Sequence, residues 1–330
     1  MSYIPSSDRY SKMQYNRAGE SSVLLPKIAL GLWHNFGTNC DFCNAKNMIY
    51  FSFDNGINYF DLANNYGPEP GAGELTFAKI LREGLMPFRD EILISTKAGH
   101  EMWEGPFGGN SSRKHLIVSL NQSLARLGLD YVDIFYTHRY DEQTPICETA
   151  QALIDIVRSG KALYIGISKY PPTKALELYD LLSEAKVPCL VSQFRYSLFD
   201  RELERESLAL ADEKGSGVVA FSPLAQGLLS DKYLVDIPSD SRAASESVFL
   251  TKDAITPEKR AQILALNQVA KERNEKLSQM ALAWALRDSR VSSLVIGASS
   301  VAQIKENIEA VNSEYFTPEQ LAKIDAITLK

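Results

Sequence analysis

Short runs of β-branched and aromatic residues alternate with longer amphipathic stretches over most of the 330-residue chain. Eight of these runs have the length and composition of buried strands. They are Ile28–Leu30, Tyr59–Asp61, Ile92–Thr96, Tyr131–Tyr136, Ala162–Ser168, Leu190–Gln193, Val218–Phe221 and Leu294–Ile296. Between them apolar residues recur at helical spacing, as in Ser112–Leu127, after which Gly128 stands where a helix ends.

This alternation predicts the fold class. Parallel strands that follow one another need a crossover connection, which a helix supplies. Eight repeats favour an α/β fold closed into a (β/α)8 TIM barrel over an open doubly wound sheet. An open dinucleotide-binding sheet carries Gly-x-Gly-x-x-Gly after its first strand, whereas Leu30-Gly31-Leu32-Trp33 stands there in this chain. The sequence has no linker-like segment, so residues 1–330 are predicted to form a single barrel domain.

Two segments are predicted to be additions to the barrel. Residues 15–19, followed by the apolar residues 23–25, predict an N-terminal β-hairpin that caps one end. The polar, aperiodic stretch from Ser230 to about Thr256 predicts a long loop after the seventh barrel strand. A loop of this length is either functional or a flexible insertion, and we favour a lid over a cofactor.

Composition narrows the classes of function. With 45% hydrophobic and 23% charged residues, the chain is typical of globular proteins. Its net charge of −6 disfavours a nucleic-acid binder, which would carry a basic patch. The chain has no run of 18 apolar residues and no signal-peptide core at its start, so neither membrane insertion nor export is expected. We therefore expect a cytoplasmic protein.

Cysteine and histidine usage disfavours a metal site. The four cysteines are too few for a disulfide scaffold, which fits a reducing compartment. Cys40 and Cys43 form a Cys-x-x-C, but the pair lies in a polar stretch and no second pair has zinc-ligand spacing. The chain has only four histidines, so no metal is expected.

Polar residues that could take part in a reaction lie where the predicted strands end, which is where barrel enzymes place their reacting groups. Asp61 ends the second strand, and the third and fourth run into Lys97 and His138. Tyr66 lies five residues beyond Asp61, over the same rim. Each residue alone has an ordinary explanation, as a turn cap, a solvated lysine or a structural histidine. Together, a carboxylate, an ammonium, an imidazole and a phenol on one rim favour a catalytic site.

At this point the sequence resembles the aldo-keto reductase superfamily over nearly its whole length. The motifs that carry the resemblance are Phe60–Gly67, Ser95–Lys97, Asp133–His138, Ile165–Ser168, Gln193 with Tyr196–Leu198, Phe221–Gly227, and Ile296–Ser299 with Gln303, Glu306 and Asn307. Within the superfamily, Gly31–Gly37 and Thr137–Arg139 are similar to the bacterial glyceraldehyde-3-phosphate reductase branch, close to the β subunits of voltage-gated potassium channels. The resemblance implies NADPH-dependent reduction of a small aldehyde or ketoaldehyde, such as L-glyceraldehyde 3-phosphate or methylglyoxal, to an alcohol.

The resemblance implies a catalytic tetrad of Asp61, Tyr66, Lys97 and His138. Hydride delivery to a carbonyl carbon leaves negative charge on the oxygen, and Tyr66 would protonate it. Lys97, held by Asp61, would lower the pKa of Tyr66, and His138 would position the substrate oxygen. The channel subunits carry Asn in place of this histidine. His138 therefore favours a reductase over the alternative, a nucleotide-binding regulatory or redox-sensing subunit with little turnover.

The same resemblance implies a cradle for NADPH. Ser168 and Gln193 would bind the nicotinamide carboxamide, and Phe221 would stack on the ring. The other implied cofactor-binding positions are Trp33, Asp61, Ser222, Leu224, Gln226, Lys232, Arg242, Gly297, Ser299, Gln303, Glu306 and Asn307. Gln303 stands where many family members have Arg, so Arg242 or Lys305 would have to meet the 2′-phosphate.

The substrate is expected to be a small carbonyl compound. The predicted substrate-binding residues are Trp33, Tyr66, Trp103, His138 and Arg139. The forked donors of Arg139 match a phosphate, and a salt bridge to Asp141 or Glu142 is the alternative. The resemblance also implies a homo-oligomer of four or eight chains, whose symmetry a single sequence does not reveal.

Overall fold

The computed structural model describes residues 3–67, 69–235, 237–238, 242–244 and 250–329, without the side chain of Arg242. Eight parallel strands close into a barrel in the order β10-β3-β4-β5-β6-β7-β8-β9, and helices surround it. The strands are β1 (Tyr15–Arg17), β2 (Leu24–Pro26), β3 (Ile28–Gly31), β4 (Tyr59–Asp61), β5 (Leu93–Ala98), β6 (Val132–Thr137), β7 (Ala162–Ser168), β8 (Cys189–Arg195), β9 (Gly217–Phe221) and β10 (Val291–Ile296). Strands β1 and β2 form a separate antiparallel pair.

Helices connect the barrel strands and follow the last one. They are α1 (Phe42–Asp54), α2 (Ala72–Ile80), α3 (Arg113–Leu127), α4 (Ile146–Arg158), α5 (Pro172–Glu184), α6 (Ser207–Glu213), α7 (Pro257–Glu272), α8 (Leu277–Ala285), α9 (Val301–Ile308) and α10 (Pro318–Thr328). Shorter helical turns lie at Arg9–Ser11, Leu81–Leu85, Met86–Glu91, Glu202–Glu204, Ala225–Gly227, Asp231–Tyr233, Arg242–Ala244, Lys252–Ala254 and Glu309–Asn312. None of the helices in the described part of the chain is long and apolar enough to cross a membrane.

The predicted (β/α)8 barrel is confirmed, and each of the eight predicted strands is present. The ends of the strands differ from the prediction by up to three residues. The third barrel strand extends to Ala98 because Lys97 pairs with Tyr136, and Ala98 with Thr137, across the parallel ladder. Lys97 therefore lies inside a strand, which fixes its backbone more firmly than a loop would.

The barrel interior is filled by side chains that alternate with those facing the helices. On β6, Ile134 and Tyr136 point into the barrel, whereas Phe135 packs in the layer under the helices. Gly166 on β7 leaves room for the ring of Tyr136, because a Cβ atom at this position would overlap the ring carbons. The interior is thus a packed core, and the open ends of the strands are where groups can react.

Polar caps fix where the helices begin and end. The Asp41 carboxylate accepts from the Cys43 N–H at 2.8 Å and starts α1, and Ser112 caps α3 in the same way. Gly128 ends α3 with a φ of +69°, as its position predicted. Cys40 and Cys43 are free thiols beside the start of α1.

The hairpin of β1 and β2 covers the amino-terminal end of the barrel strands, as predicted. Asn16 Nδ2 donates to the carbonyl of Ser292 at 3.3 Å, and the Ser293 hydroxyl donates to the carbonyl of Pro26 at 2.6 Å. Gly19 has a φ of +57° and lies so close to Gly215 that a side chain would overlap its carbonyl. The opposite, carboxyl-terminal end stays free of this cap.

The long connection after β9 reaches from Ser222 to the start of α7 at Pro257. Its described parts include the short turns Asp231–Tyr233, Arg242–Ala244 and Lys252–Ala254. Residues 236, 239–241 and 245–249 of the predicted lid lie outside the described residues. A lid function for this segment stays a prediction.

Candidate active site

Asp61 and Lys97 form a buried ion pair at the carboxyl ends of β4 and β5. The Lys97 ammonium lies 2.6 Å from Asp61 Oδ2 and donates to the Leu62 carbonyl at 2.7 Å. The side chains are 0% and 2% exposed. Burial lowers the pKa of Lys97, and the charge of Asp61 acts in the opposite direction. Removing either partner would leave an uncompensated buried charge.

Three neutral donors hold the other carboxylate oxygen of Asp61. The Ser95 hydroxyl donates to Oδ1 at 2.8 Å, Gln193 Nε2 at 3.1 Å and the Tyr59 hydroxyl at 3.4 Å. These contacts come from β4, β5 and β8. The carboxylate is therefore fixed in the orientation that faces Lys97.

Tyr66 lies beside this ion pair, with its hydroxyl 3.4 Å from the Lys97 ammonium. Burial, the charge of Asp61 and the neighbouring Tyr59 raise the pKa of Tyr66 well above 10, so the phenol keeps its proton at neutral pH. The sequence-based expectation was a lowered pKa. The direction differs because burial disfavours the charged phenolate most strongly, and the negative charge of Asp61 adds to this effect.

His138 completes the group of four. Its ring lies 5.8 Å from the ring of Tyr66 and 4.5 Å from the ring of His100. Burial lowers the pKa of His138 well below its ordinary value, and the charge of Lys97 adds to this effect. His138 Nδ1 is buried without a hydrogen-bond partner among the described residues. The imidazole is therefore neutral at pH 7 and can donate a hydrogen bond without carrying a charge.

Sequence reasoning missed His100, three residues beyond Lys97 in the loop after β5. Burial and the nearby cations Lys169 and Arg139 lower its pKa to about 4. Its place in the loop that follows a catalytic strand was the available signal.

The predicted mouth residues are distributed around this group. The ring of Trp33 lies 6.1 Å from that of Tyr66 and 3.7 Å from that of His34, to which it is tilted. Trp103 lies in the loop after β5 and packs 5.1 Å from the ring of His115. Trp33 is therefore the predicted mouth tryptophan that borders Tyr66 directly.

Arg139 binds the loop that follows β5. Its Nε donates to the carbonyl of Gly99 at 3.0 Å and its Nη2 to that of Gly109 at 3.4 Å. The ion pairs of the described residues do not include one from Arg139 to Asp141 or Glu142. The guanidinium is thus held in place by backbone carbonyls, and its charge helps to lower the pKa of Asp141.

The residues around Ser168 fit a nicotinamide. The hydroxyl of Ser168 is buried and has no partner among the described residues, so a ligand carboxamide would satisfy it. Gln193 lies next to it, with Ser168 paired to Gln193 across β7 and β8. Phe221 ends β9 and keeps part of its surface exposed. These positions offer a hydroxyl, an amide and an aromatic face to one ligand ring.

The turn after β9 has a strained backbone. Ser222, Ala225 and Gln226 have φ values of +55°, +47° and +62°, and Gly227 follows with +98°. Non-glycine residues in this conformation cost energy and collect at ligand sites. Such turns direct successive N–H groups into a concave surface that suits anions such as a pyrophosphate. Leu224 belongs to the same turn, and Lys232 lies exposed in the next one.

The remaining predicted cofactor positions lie between β10 and the end of α9. A Cβ atom on Gly297 would meet nothing within 4 Å, so there is open space beside it. The Ser299 N–H and hydroxyl donate to Gln303 Oε1 at 2.8 and 3.2 Å. Glu306 accepts from Lys276 at 2.5 Å, and Asn307 is buried. The predicted contact of Arg242 falls on a side chain outside the described residues.

Comparison with known proteins agrees with this geometry. Residues 27–329 match the model of the aldo/keto reductase family. An Escherichia coli K12 protein named L-glyceraldehyde 3-phosphate reductase is 47% identical, and the match covers 98% of this chain and 95% of that protein. Probable voltage-gated potassium channel β subunits of Arabidopsis thaliana and rice are 36% and 34% identical, over 96% of both chains in each case. The chain is an oxidoreductase that belongs to the aldo/keto reductase family.

Proposed function

We propose that the protein reduces small aldehydes to alcohols, with NADPH as the hydride donor and Tyr66 as the proton donor. The observation that carries this proposal is the continuous set of contacts from Asp61 through Lys97 to Tyr66, at 2.6 and 3.4 Å. The 47% identity to a protein named L-glyceraldehyde 3-phosphate reductase supports an aldehyde as the substrate.

A hydride from bound NADPH would reduce the carbonyl carbon. Tyr66 and the neutral His138 donate hydrogen bonds to the carbonyl oxygen and hold it in place. As negative charge develops on that oxygen, Tyr66 transfers its proton, because the alkoxide is a stronger base than the phenolate. The phenolate then lies 3.4 Å from the Lys97 ammonium, which stabilises it in a site with little water. Asp61 keeps that ammonium charged and oriented.

The chain's own residues would hold the cofactor. Ser168 and Gln193 would bind the nicotinamide carboxamide, and Phe221 would offer its ring face to the nicotinamide. The strained turn of residues 222–227 would bind the pyrophosphate. Ser299, Gln303, Glu306 and Asn307 would surround the adenosine, and Arg242 or Lys305 would meet the 2′-phosphate. The expected homo-oligomer and cytoplasmic location stay predictions.

A regulatory, nucleotide-binding subunit is the second candidate, because relatives at 34–36% identity carry potassium channel β subunit names. Both candidates need the cofactor cradle. Only a reductase needs a proton donor, and the neutral, buried His138 next to Tyr66 favours a reductase.

Steady-state oxidation of NADPH by the Tyr66→Phe variant decides between the two. We expect kcat to fall at least about 100-fold, because general-acid catalysis is lost. The dissociation constant of NADPH should stay within about threefold, since the phenol oxygen does not hold the cofactor. Tyr315→Phe, at a fully exposed tyrosine, is the matched control and should keep wild-type turnover. Wild-type turnover in Tyr66→Phe would exclude the phenol as proton donor.

A further inference from the structure

Three cationic side chains stand at the carboxyl ends of β6, β7 and β8, on the same side of the site as His138. They are Arg139, Lys169 and Arg195, which we call the rim cations. Arg139 follows His138, Lys169 follows Ser168 and Arg195 lies two residues after Gln193. The charges of Lys169 and Arg139 help to lower the pKa of His138 and of His100, so these two rim cations lie near the proposed reaction site.

Lys169 has a strained backbone. Its φ is +56°, in the left-handed region that costs a side-chain-bearing residue about 1 kcal/mol or more. Its N–H donates to the carbonyl of Gln193 at 3.1 Å, so the ladder between β7 and β8 imposes this conformation. Lys169 and Arg195 also line a cavity of about 450 Å³ with the start of α5 and residues 200–207, and none of the four tetrad residues belongs to its lining. Strain of this kind at a cavity is typical of residues that contact a ligand.

The charges around Lys169 repel it. Among the described residues, the charged groups that act on it are the cations Lys97, Arg195 and Arg139. Partial loss of water and these three charges lower the pKa of Lys169 to about 8. Lys97 already has Asp61 as its partner, but no carboxylate neutralises Lys169 in the described structure.

The same cavity has acidic residues, but they do not reach Lys169. Asp200, Glu202 and Glu206 belong to its lining. Asp200 lies 3.8 Å from Arg195, and Glu202 pairs with Arg205 at 3.2 Å. Arg139 is held by carbonyls, which leave its charge in place. Arg139 interacts with Asp141 and Arg195 with Asp200, whereas Lys169 has only cations among its charged neighbours, so an anion beside Lys169 would relieve the repulsion.

We propose that Lys169 binds the phosphate of a phosphorylated short-chain aldehyde, with Arg139 and Arg195 as flanking charges. A phosphate dianion matches several cations better than a single carboxylate does, and its oxygens accept charge-assisted hydrogen bonds. This inference rests on the proposed reductase function. It assigns substrate recognition to a residue that takes no part in hydride or proton transfer.

Kinetics with a matched pair of substrates test the proposal. In Lys169→Met, kcat/KM for glyceraldehyde 3-phosphate should fall at least about 10-fold, through KM, because a charged hydrogen bond is lost. The value for unphosphorylated glyceraldehyde should stay within about twofold. Lys169→Arg keeps the charge and should recover most of the loss. Equal effects on both substrates, or no effect on either, would overturn the assignment.

Lys186→Met is the matched control. Lys186 is exposed in the loop after α5 and has a similar φ of +61°, so this variant repeats the change of residue in the same backbone conformation. Its kinetics with both substrates should equal those of the wild type. A loss as large as that of Lys169→Met would mean that the lysine change acts through stability alone.

Direct binding separates this proposal from the reductase function. Calorimetric titration of the full chain with glycerol 3-phosphate, in the presence of NADP⁺, should give a dissociation constant that rises at least about 10-fold in Lys169→Met. If the wild type reduces neither aldehyde, the proposed substrate class is wrong, and the titration still decides whether Lys169 binds phosphate. Equal binding by wild type and Lys169→Met would refute the site.

Discussion

The phenol oxygens of Tyr59 and Tyr136 lie 2.9 Å apart inside the barrel, directly behind the carboxylate of the tetrad. Burial raises the pKa of both phenols well above 10, so both keep their protons. Tyr59 also contacts Asp61 Oδ1 at 3.4 Å, and an ionised carboxylate can only accept. Tyr59 must therefore donate to Asp61 and accept from Tyr136, which makes a directed chain of hydrogen bonds that ends at the ion pair.

Tyr59→Phe should lower kcat about fivefold and move the pH profile of reduction. The variant removes a donor from Asp61, so more of the carboxylate charge acts on Lys97 and less of the ammonium charge is left for the Tyr66 phenolate. The dissociation constant of NADPH should be unchanged. Measuring kcat from pH 6 to 9 checks this, and a profile identical to that of the wild type would contradict it. Tyr136→Phe should have a smaller effect, since Tyr59 keeps its contact with Asp61.

Arg126→Ala should destabilise the fold by about 3 kcal/mol. Glu74 is fully buried and accepts from Arg126 Nε and the Thr96 hydroxyl, both at 2.6 Å, so the variant leaves a buried carboxylate without its cation. The matched control is Arg113→Ala, whose pair with Asp155 is largely exposed and should contribute less than about 1 kcal/mol. Urea unfolding of both variants measures the difference. Equal losses of unfolding free energy would show that the buried ion pair contributes no more to stability than the exposed one.

His100 should make stability depend on pH between about 4 and 6.5. Its pKa is lowered from 6.5 to about 4 in the folded protein, so only the unfolded chain takes up a proton in this window. The free energy of unfolding should therefore fall as the pH drops from 6.5 towards 4, and the contribution is complete above 6.5. His100→Gln should show a smaller loss between pH 7 and pH 5 in urea unfolding. An unchanged loss would mean that His100 titrates normally in the folded protein.

Substitution of glycine by alanine should lower the free energy of unfolding at Gly166 and leave it nearly unchanged at Gly297. Gly166→Ala should cost about 2 kcal/mol of unfolding free energy, because its Cβ would overlap the Tyr136 ring inside the packed barrel. Gly297→Ala meets open space and should change stability by less than about 0.5 kcal/mol. If the cofactor lies beside Gly297, this variant should instead weaken NADPH binding. Urea unfolding and a fluorescence titration with NADPH measure the two quantities.

The sequence predicted the barrel because its strands are short, apolar and regularly interrupted. The ends of Tyr59–Asp61 and Ala162–Ser168 were located without error, since a polar residue closes each run. Asp61, Lys97 and His138 could be predicted to meet because parallel strands of one barrel share their direction. This argument needs only strand order and polarity, both of which the pattern of residues contains.

Other features of the site depend on contacts that the periodic pattern of apolar and polar residues does not predict. The raised pKa of Tyr66 follows first from its burial and then from the nearby charge of Asp61, neither of which the pattern encodes. Arg139 finds its partners on two backbone carbonyls of an irregular loop. The left-handed conformation of Lys169 arises from the pairing of β7 with β8, and propensity alone assigns a lysine to other regions.

The hairpin at the amino-terminal end has a consequence for the catalytic cycle. Leu25 from the hairpin and Tyr59 and Tyr136 from the barrel are buried completely and pack together beneath the tetrad. In the proposed reaction, solvent protons therefore reach Tyr66 from the carboxyl-terminal mouth, which is also the exit for the alcohol. Reprotonation of Tyr66 and release of the alcohol therefore use the same opening. A bulky alcohol that dissociates slowly would delay the next turnover, because it would block both steps.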